Sequence, residues 1–288
     1  MGKEINGKAY ADKIYLEIRE KTRRLKQKKG KVPHLSVIVA GDDPASKIYV
    51  NIKEKRAKEN GMDFSLFRFK KDASEKSIIE KIKKINKNKK INGLIVQLPL
   101  PKKFNEKKIV NTVSLEKDVD GLHPASIGAL LRNEDSFISC TPAGIMELIR
   151  SVKKDLSGMK AVIVGRSNIV GKPVSILLLK EHCTITICHS RTRNLKNEIK
   201  NADILVAAIG RPEFIKGSWI KKGAIVIDVG INRVEDKSRP KGYRILGDVE
   251  YKKAKKNASH ITPVPGGVGP MTVAMLLKNT LKAFNQQQ

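Results

Sequence analysis

Residues 165 to 173 read GRSNIVGKP and follow directly on the apolar run KAVIV. A glycine, a short spacer and Gly-Lys after a strand-like run are the makings of a phosphate-binding turn. A hydrolase loop of the type GxxxxGK[ST] has four residues between its glycines and a hydroxyl after the lysine to hold magnesium. Here the spacer is five residues, and Pro173 stands in the hydroxyl's place. Proline has neither hydroxyl nor N–H, which excludes that chemistry. The dinucleotide fingerprint GxGxxG fits the architecture better than the letters: Gly165 ends the strand, Ser167 replaces the second glycine, and Gly171 falls two residues late. A serine there keeps the backbone from approaching a pyrophosphate closely. About twenty residues on, an NAD site carries an acid for the ribose hydroxyl. This chain has His189-Ser190-Arg191-Thr192-Arg193 instead. Together with Arg166 these groups suit a 2′-phosphate, so a dinucleotide reading favours NADP over NAD. A glycine turn serving only close helix packing stays open as the alternative.

The elements that would carry this turn alternate between strand and helix. Residues 4–28 have apolar side chains at helical spacing and stop before Gly30; HLSVIVAG (34–41) reads as a strand. Asp43-Pro44 is an N-cap with proline at the first helical position, opening a helix that ends at Gly61. MDFSLFRF is a second strand, SEKSIIEKIKKIN a helix, and INGLIVQLPLP a strand closed by prolines. A turn-rich stretch, KDVDGLHP (117–124), precedes a short helix through IGALL, and Thr141-Pro142 caps a helix joining two halves. The rhythm then resumes: KAVIVG, CTITIC, DILVAAIG and GAIVIDVGI as strands, PVSILLLKE and RTRNLKNEIK as helices, and VGPMTVAMLLKNTLKAF as the last helix. A parallel or mixed sheet flanked by helices follows, in two α/β domains with a boundary near 140.

With 288 residues and 40% hydrophobic content, the chain can bury a sizeable core. No apolar run reaches the roughly 20 residues that span a bilayer, and the N-terminus lacks the apolar core of a signal peptide. A cytoplasmic location is expected. Three cysteines without CxxC spacing (Cys140, Cys183 and Cys188) point to buried small residues rather than zinc ligands, and no metal is expected. The net charge of +29 raises the possibility of a nucleic-acid partner. The lysines are spread along the chain, however, and KIKKINKNKK (81–90) has no aromatic residue for base stacking. A surface that attracts anionic small molecules is the milder reading.

Taken together, YVNIKEK (49–55), VQLPLP (96–101), KDVDGLHP, TPAGIMELI (141–149), GRSNIVGKPVS, GAIVIDVGIN (223–232), GDVEY (247–251) and ITPVPGGVGPMTVAML (261–276) resemble one family along the whole chain. It is that of the bifunctional methylenetetrahydrofolate dehydrogenase/methenyltetrahydrofolate cyclohydrolases. The resemblance implies two α/β domains around a cleft: residues 1–140 binding folate, completed by the C-terminal helix 269–288, and residues 141–268 a Rossmann-like NADP-binding domain. It implies oxidation of 5,10-methylenetetrahydrofolate by NADP, then hydrolysis of the methenyl product to 10-formyltetrahydrofolate, with a homodimer as the assembly and tetrahydrofolates, polyglutamylated ones included, as partners. A monofunctional dehydrogenase of the same fold and a basic nucleic-acid-binding protein are the alternatives.

By the same resemblance, Tyr49 stacks on the folate and Lys53 serves the hydrolysis. An i, i+4 pair on one helix face agrees with this. A lysine base has to be neutral, so its pKa must fall from about 10.4 toward roughly 7 to 8. Gln97 assists Lys53, with Val96 and Leu98 beside it against substrate, and Asp120 takes the pterin's amino and ring N–H groups. Asp118 reads as a turn residue. The turn Pro265, Gly266, Gly267, Val268, Gly269, Pro270, Met271, Thr272 lies along the folate. Gly165, Arg166, Ser167, Ser190, Arg191 and Ile231 form the cofactor site. One departure stands out: in HPASIG, Ser126 occupies a place where the family commonly has asparagine, which puts local loop order in doubt.

Overall fold

A computed structural model describes residues 1–240 and 242–288. In chain order the elements begin with β1 (Lys3–Glu4), α1 (Gly7–Lys29), β2 (His34–Ala40), α2 (Pro44–Glu59), β3 (Asp63–Phe69), α3 (Glu75–Lys87) and β4 (Gly93–Val96). Next come α4 (Glu106–Val110), α5 (Pro124–Leu131), α6 (Cys140–Val152), β5 (Lys160–Val164), α7 (Gly171–Lys180), β6 (Thr184–Cys188), α8 (Leu195–Lys200) and β7 (Ile204–Ala207). The chain closes with β8 (Ile225–Asp228), β9 (Asn232–Glu235), β10 (Tyr243–Leu246), α9 (Tyr251–Asn257), β11 (His260–Ile261) and α10 (Val268–Gln286).

The chain divides into two compact units, Asp12–Cys140 with Val273–Gln288, and Thr141–Thr272 with Met1–Ala11. The first holds a parallel three-stranded sheet in the order β3-β2-β4. Its core packs Ile38, Leu94 and Val96 from the sheet against Ile78, Ile82 and Ile85 of α3. Those isoleucines fall one helical turn apart, and Ser74 caps the helix by accepting from the Ser77 amide at 3.1 Å. Asp43 caps α2 in the same way at 2.7 Å, where the sequence reading puts it.

The second unit holds six parallel strands in the order β1-β11-β8-β7-β5-β6, plus the antiparallel hairpin β9–β10. This confirms the α/β class with a Rossmann-like second half. Several local expectations change. Residues 1–11, read as part of the N-terminal half, belong here instead, because β1 pairs with β11 (Lys3 opposite His260). Thr141 does not cap α6, which starts at Cys140; its Oγ1 lies 3.0 Å from Oγ1 of Thr272. The helix read over 191–200 shortens to α8, since Asn194 adopts a left-handed φ of 53° that breaks any earlier turn. The strand read over 91–101 is only β4, and the Leu98–Pro99 peptide is cis. Among the described residues, no helix is long and apolar enough to cross a membrane.

Candidate active site

In open parallel sheets, ligands gather at the C-terminal ends of strands where the strand order reverses. In the three-stranded unit the order reverses at β2, whose neighbours are β3 on one side and β4 on the other. Helix α2 leaves the end of β2, and Gln97 leaves the end of β4, its amide still donating to the Ile38 carbonyl at 2.8 Å. The buried stripe of α2 is Ser46, Val50, Lys53 and Ala57. Lys53 is therefore a core position of the helix, 9% exposed, whereas Lys55 and Lys58 are in solvent.

The Lys53 Nζ donates to Gln97 Oε1 at 2.8 Å. The Gln97 amide nitrogen donates to the Leu98 carbonyl at 2.6 Å, which turns the oxygen toward the lysine. Burial pushes the Lys53 ammonium below its ordinary value, opposed by the Asp120 carboxylate and by Cys140. Tyr49, one turn earlier, is half-buried, and burial raises its phenol. Lys53, Gln97 and Asp120 thus come together in this unit. Val96 is buried in the sheet, while Leu98 is partly exposed.

The loop bearing Asp120 is tied down by residues of which the sequence reading saw little. Asp118 is buried, and its carboxylate accepts from the amides of Leu122 at 3.1 Å and His123 at 2.9 Å and from the Ser126 hydroxyl at 2.8 Å. Burial pushes Asp118 above the usual carboxylate value against those three bonds. Ser126 therefore fixes the loop through its hydroxyl. Asn279 of α10 donates to the carbonyls of Val119 and Ile138 at 2.9 and 3.0 Å, joining the two segments around the site. Cys140 is buried there, its Sγ 3.4 Å from the Val119 carbonyl oxygen, and burial with the nearby Asp120 charge drives its thiol well up. Only the i, i+8 spacing of Asp118 and Ser126 and the Asp-Val-Asp triplet could have hinted at this lattice.

In the six-stranded unit the order reverses at β5, between β6 and β7, and Gly165 directly follows β5. Gly165 has a φ of +135°, and a Cβ there would run into the Ala208 carbonyl oxygen. A Cβ on Gly171 would run into the carbonyl oxygen of Gly165, so this late glycine lets the first turn of α7 close on the strand end. Ser167 Oγ accepts from the amides of Val170 at 3.1 Å and Gly171 at 3.4 Å. The serine in the fingerprint thus ties the turn to Val170, the N-cap of α7, and to Gly171, its first residue. At the end of β6, Ser190 and Arg191 are exposed on a turn held by His189, whose Nδ1 accepts from the Arg191 amide at 3.1 Å. Arg166 and Arg193 are exposed as well. The glycine cradle and exposed cations fit a dinucleotide with an extra phosphate.

Two family descriptions match the chain. "Tetrahydrofolate dehydrogenase/cyclohydrolase, catalytic domain" covers residues 5–120, and "Tetrahydrofolate dehydrogenase/cyclohydrolase, NAD(P)-binding domain" covers residues 139–288. The chain belongs to the tetrahydrofolate dehydrogenase/cyclohydrolase family. A "Bifunctional protein FolD" of Acetivibrio thermocellus is 50% identical over 285 residues, 99% of this chain and 98% of that one. The crystal structure of the bifunctional enzyme FolD from Campylobacter jejuni matches with a TM-score of 0.95 at 39% identity, covering 100% of both chains. The Trypanosoma brucei enzyme, complexed with NADP cofactor and inhibitor, matches with a TM-score of 0.95 at 38% identity over 99% of this chain and 98% of that one. The resemblance carried by the motifs is borne out, and the nucleic-acid alternative loses its ground.

Within the family's NAD(P)-binding domain, the turn at 265–272 divides by exposure. Val268 and Met271 are buried, Met271 packing on Gly144. Pro265 is exposed, and Gly266 holds a φ of +105° while its carbonyl accepts from the Lys8 amide at 3.1 Å. Pro265 and the half-exposed Gly266, Gly269, Pro270 and Thr272, rather than the two apolar side chains or Gly267, are the parts of this turn at the surface. Ile231, read as a cofactor contact, is 52% exposed just beyond β8.

Proposed function

We propose that this chain oxidises 5,10-methylenetetrahydrofolate to the methenyl cation with NADP, and that water then opens the cation to 10-formyltetrahydrofolate with release of a proton. The observation that carries this reading is the buried Lys53 held 2.8 Å from Gln97 beside Asp120. Bound NADP supplies the hydride acceptor. Ser190, Arg191 and Arg166 take its 2′-phosphate, and the turn at Gly165 to Ser167, with Ile231, borders the rest. Tyr49 offers its ring face to the flat folate. Asp120 accepts the two N–H groups of the pterin edge. Gln97 Oε1 occupies one proton of Lys53, and the neutral amine made accessible by burial takes a proton from the attacking water at Nζ. Burial disfavours the charged form and so moves Lys53 in the direction a lysine base requires, against the pull of Asp120 and Cys140.

The same reading has the chain work in the cytoplasm as a homodimer. Its net charge of +29 suits folates that carry a polyglutamate tail. The test mixes purified protein with methylenetetrahydrofolate and NADP and follows NADPH and the methenyl chromophore separately. Methenyltetrahydrofolate supplied alone reports hydrolysis without the cofactor. NADPH formation and faster loss of added methenyl compound are expected; absence of either removes that half of the proposal. With Ser190 and Arg191 both changed to alanine, the preference for NADP over NAD should fall. An unchanged preference would place the 2′-phosphate elsewhere.

A further inference from the structure

We propose that Asp248 is a positioning residue for dinucleotide binding, holding the loop after β7 against the Gly165 turn by collecting that loop's successive amides on one buried carboxylate. The proposal rests on the reading of the six-stranded unit as the NADP site. Asp248 lies in the stretch GDVEY and is fully buried. Its Oδ2 accepts from the amides of Ile209 at 2.6 Å and Gly210 at 3.0 Å, and its Oδ1 from the Arg211 amide at 2.9 Å and the Asn232 side-chain amide at 2.9 Å. Three consecutive backbone N–H groups turned onto one anion form a nest, and bonds to an ionised acceptor are stronger than neutral ones.

The partner of this carboxylate is a second one. Asp228, at the end of β8, accepts from the amides of Gly230 at 3.0 Å, Asp248 at 2.8 Å and Val249 at 2.9 Å. The two approaches are reciprocal. A Cβ on Gly230 would collide with the Asp248 carboxylate, and one on Gly247 with the Asp228 carboxylate. The motifs D-V-G (228–230) and G-D (247–248) therefore close the base of the β9–β10 hairpin as one clasp, with Ile231 emerging beside it.

The clasp reaches the candidate cofactor turn through one residue. Ala208 precedes the three captured amides, donates its own to the Val164 carbonyl at 2.8 Å, and presents its carbonyl to Gly165 where a Cβ would otherwise stand. Asp248 itself lies beneath this surface. Its part is to keep the ends of β5, β7 and β8 in one shape before the ligand arrives, which lowers the ordering cost of binding.

The experiment uses the full chain with Asp248→Asn, which keeps the size but replaces one acceptor oxygen by a donor. NADP affinity is measured by calorimetric titration, together with the NADP KM, kcat at saturating NADP, and hydrolysis of methenyltetrahydrofolate without NADP. Affinity and KM should weaken on the order of ten- to a hundredfold, as expected for losing bonds to a charged acceptor, with hydrolysis within about twofold of the parent. Unchanged NADP affinity, or equal loss of hydrolysis and hydride transfer, overturns the proposal. Should Asp248→Asn fail to fold, Asn232→Ala decides: a weakening of NADP binding with intact hydrolysis supports the clasp, and no change overturns it. A parent chain that hydrolyses the methenyl compound yet binds no NADP refutes the cofactor reading directly and takes this proposal with it.

Discussion

Two lysines of the three-stranded unit are buried, and they do opposite things. Lys117 is 2% exposed, and its Nζ donates to the carbonyls of Ile85 and Asn88 at 2.8 and 2.7 Å. Those carbonyls belong to the last turn of α3 and to its C-cap residue, at the negative end of the helix dipole. Lys53 is 9% exposed and, among the described residues, donates one hydrogen bond, to a side-chain amide that is itself held from behind. Burial lowers both ammonium groups, for Lys117 against the nearby Glu116 charge and for Lys53 against Asp120 and Cys140. Depressed basicity alone therefore does not mark a catalytic lysine. The distinguishing feature is donor and lone-pair capacity left uncommitted beside polar groups.

The sharpest way to break this comparison is Lys53→Met. Methenyl hydrolysis should fall by about 10²- to 10⁴-fold, the usual worth of a positioned acid or base, while hydride transfer stays within a few-fold, so methenyl product accumulates. Melting temperature should hold or rise, because a desolvated amine is replaced by an apolar chain of similar length. Equal loss of both activities would make Lys53 a folate-positioning residue only. The parent's pH profile adds a second reading. Because burial lowers the Lys53 pKa from 10.5, the fold is most stable with respect to this group above the unfolded value, where the amine is neutral in both states. That stability is lost as pH falls through the folded value and the buried amine takes up its proton. Hydrolysis should decline over that lower limb, and the hydride step should lack the limb. A hydrolysis profile without it would remove the neutral amine from the mechanism.

Lys117→Met should show the reverse pattern at smaller size. Two carbonyls lose a charged donor while each keeps a backbone N–H partner (Asn88 for Ile85, Ile91 for Asn88), which costs about 1 to 2 kcal/mol of stability, read as a lower midpoint in urea unfolding. Hydrolysis per folded molecule should not change. A selective loss of hydrolysis without destabilisation would collapse the distinction between the two lysines. Gln97→Ala falls between them: it leaves Lys53 in place but frees its bound proton, and a drop in hydrolysis of roughly tenfold is expected.

How much of this could be read in the sequence depends on what kind of signal each part leaves. The strands β2 and β5 and the helices α2 and α3 announce themselves by apolar period and caps, and α2 carries Lys53 on the same stripe as Val50 and Ala57. Nothing in KEKRAK distinguishes Lys53 from Lys55 except that stripe, and the family motif around Tyr49 singled it out first. The hairpin β9–β10 stayed hidden because its strands NRVE and YRIL are short and alternate exposed charged residues with only half-buried ones. The pairing of β1 with β11 joins residues far apart in two-residue strands, where no local pattern exists. Ser167 was legible as a departure from the glycine fingerprint but not as the tie that closes the turn, because its partners Val170 and Gly171 are set by the turn it makes.

The smallest test concerns Ser126, whose hydroxyl gives Asp118 one of its three hydrogen bonds. Ser126→Ala should cost about 1 to 2 kcal/mol, since the lost bond goes to a buried carboxyl that two backbone amides still satisfy. Asp120 sits two residues from that anchor, so the folate KM should rise about two- to fivefold for a comparable fraction of the energy, with both reactions affected alike. That shared loss separates a loop effect from the Lys53 effect, which falls on one step. Ser126→Asn brings an amide into a site only 1% exposed. The extra volume costs about 1 to 3 kcal/mol unless the loop yields, while the amide can still donate to Asp118. Should alanine match the parent in stability and KM, the hydroxyl would not be what holds this loop, and the order of the Asp120 segment would have to come from Asn279 and the backbone alone.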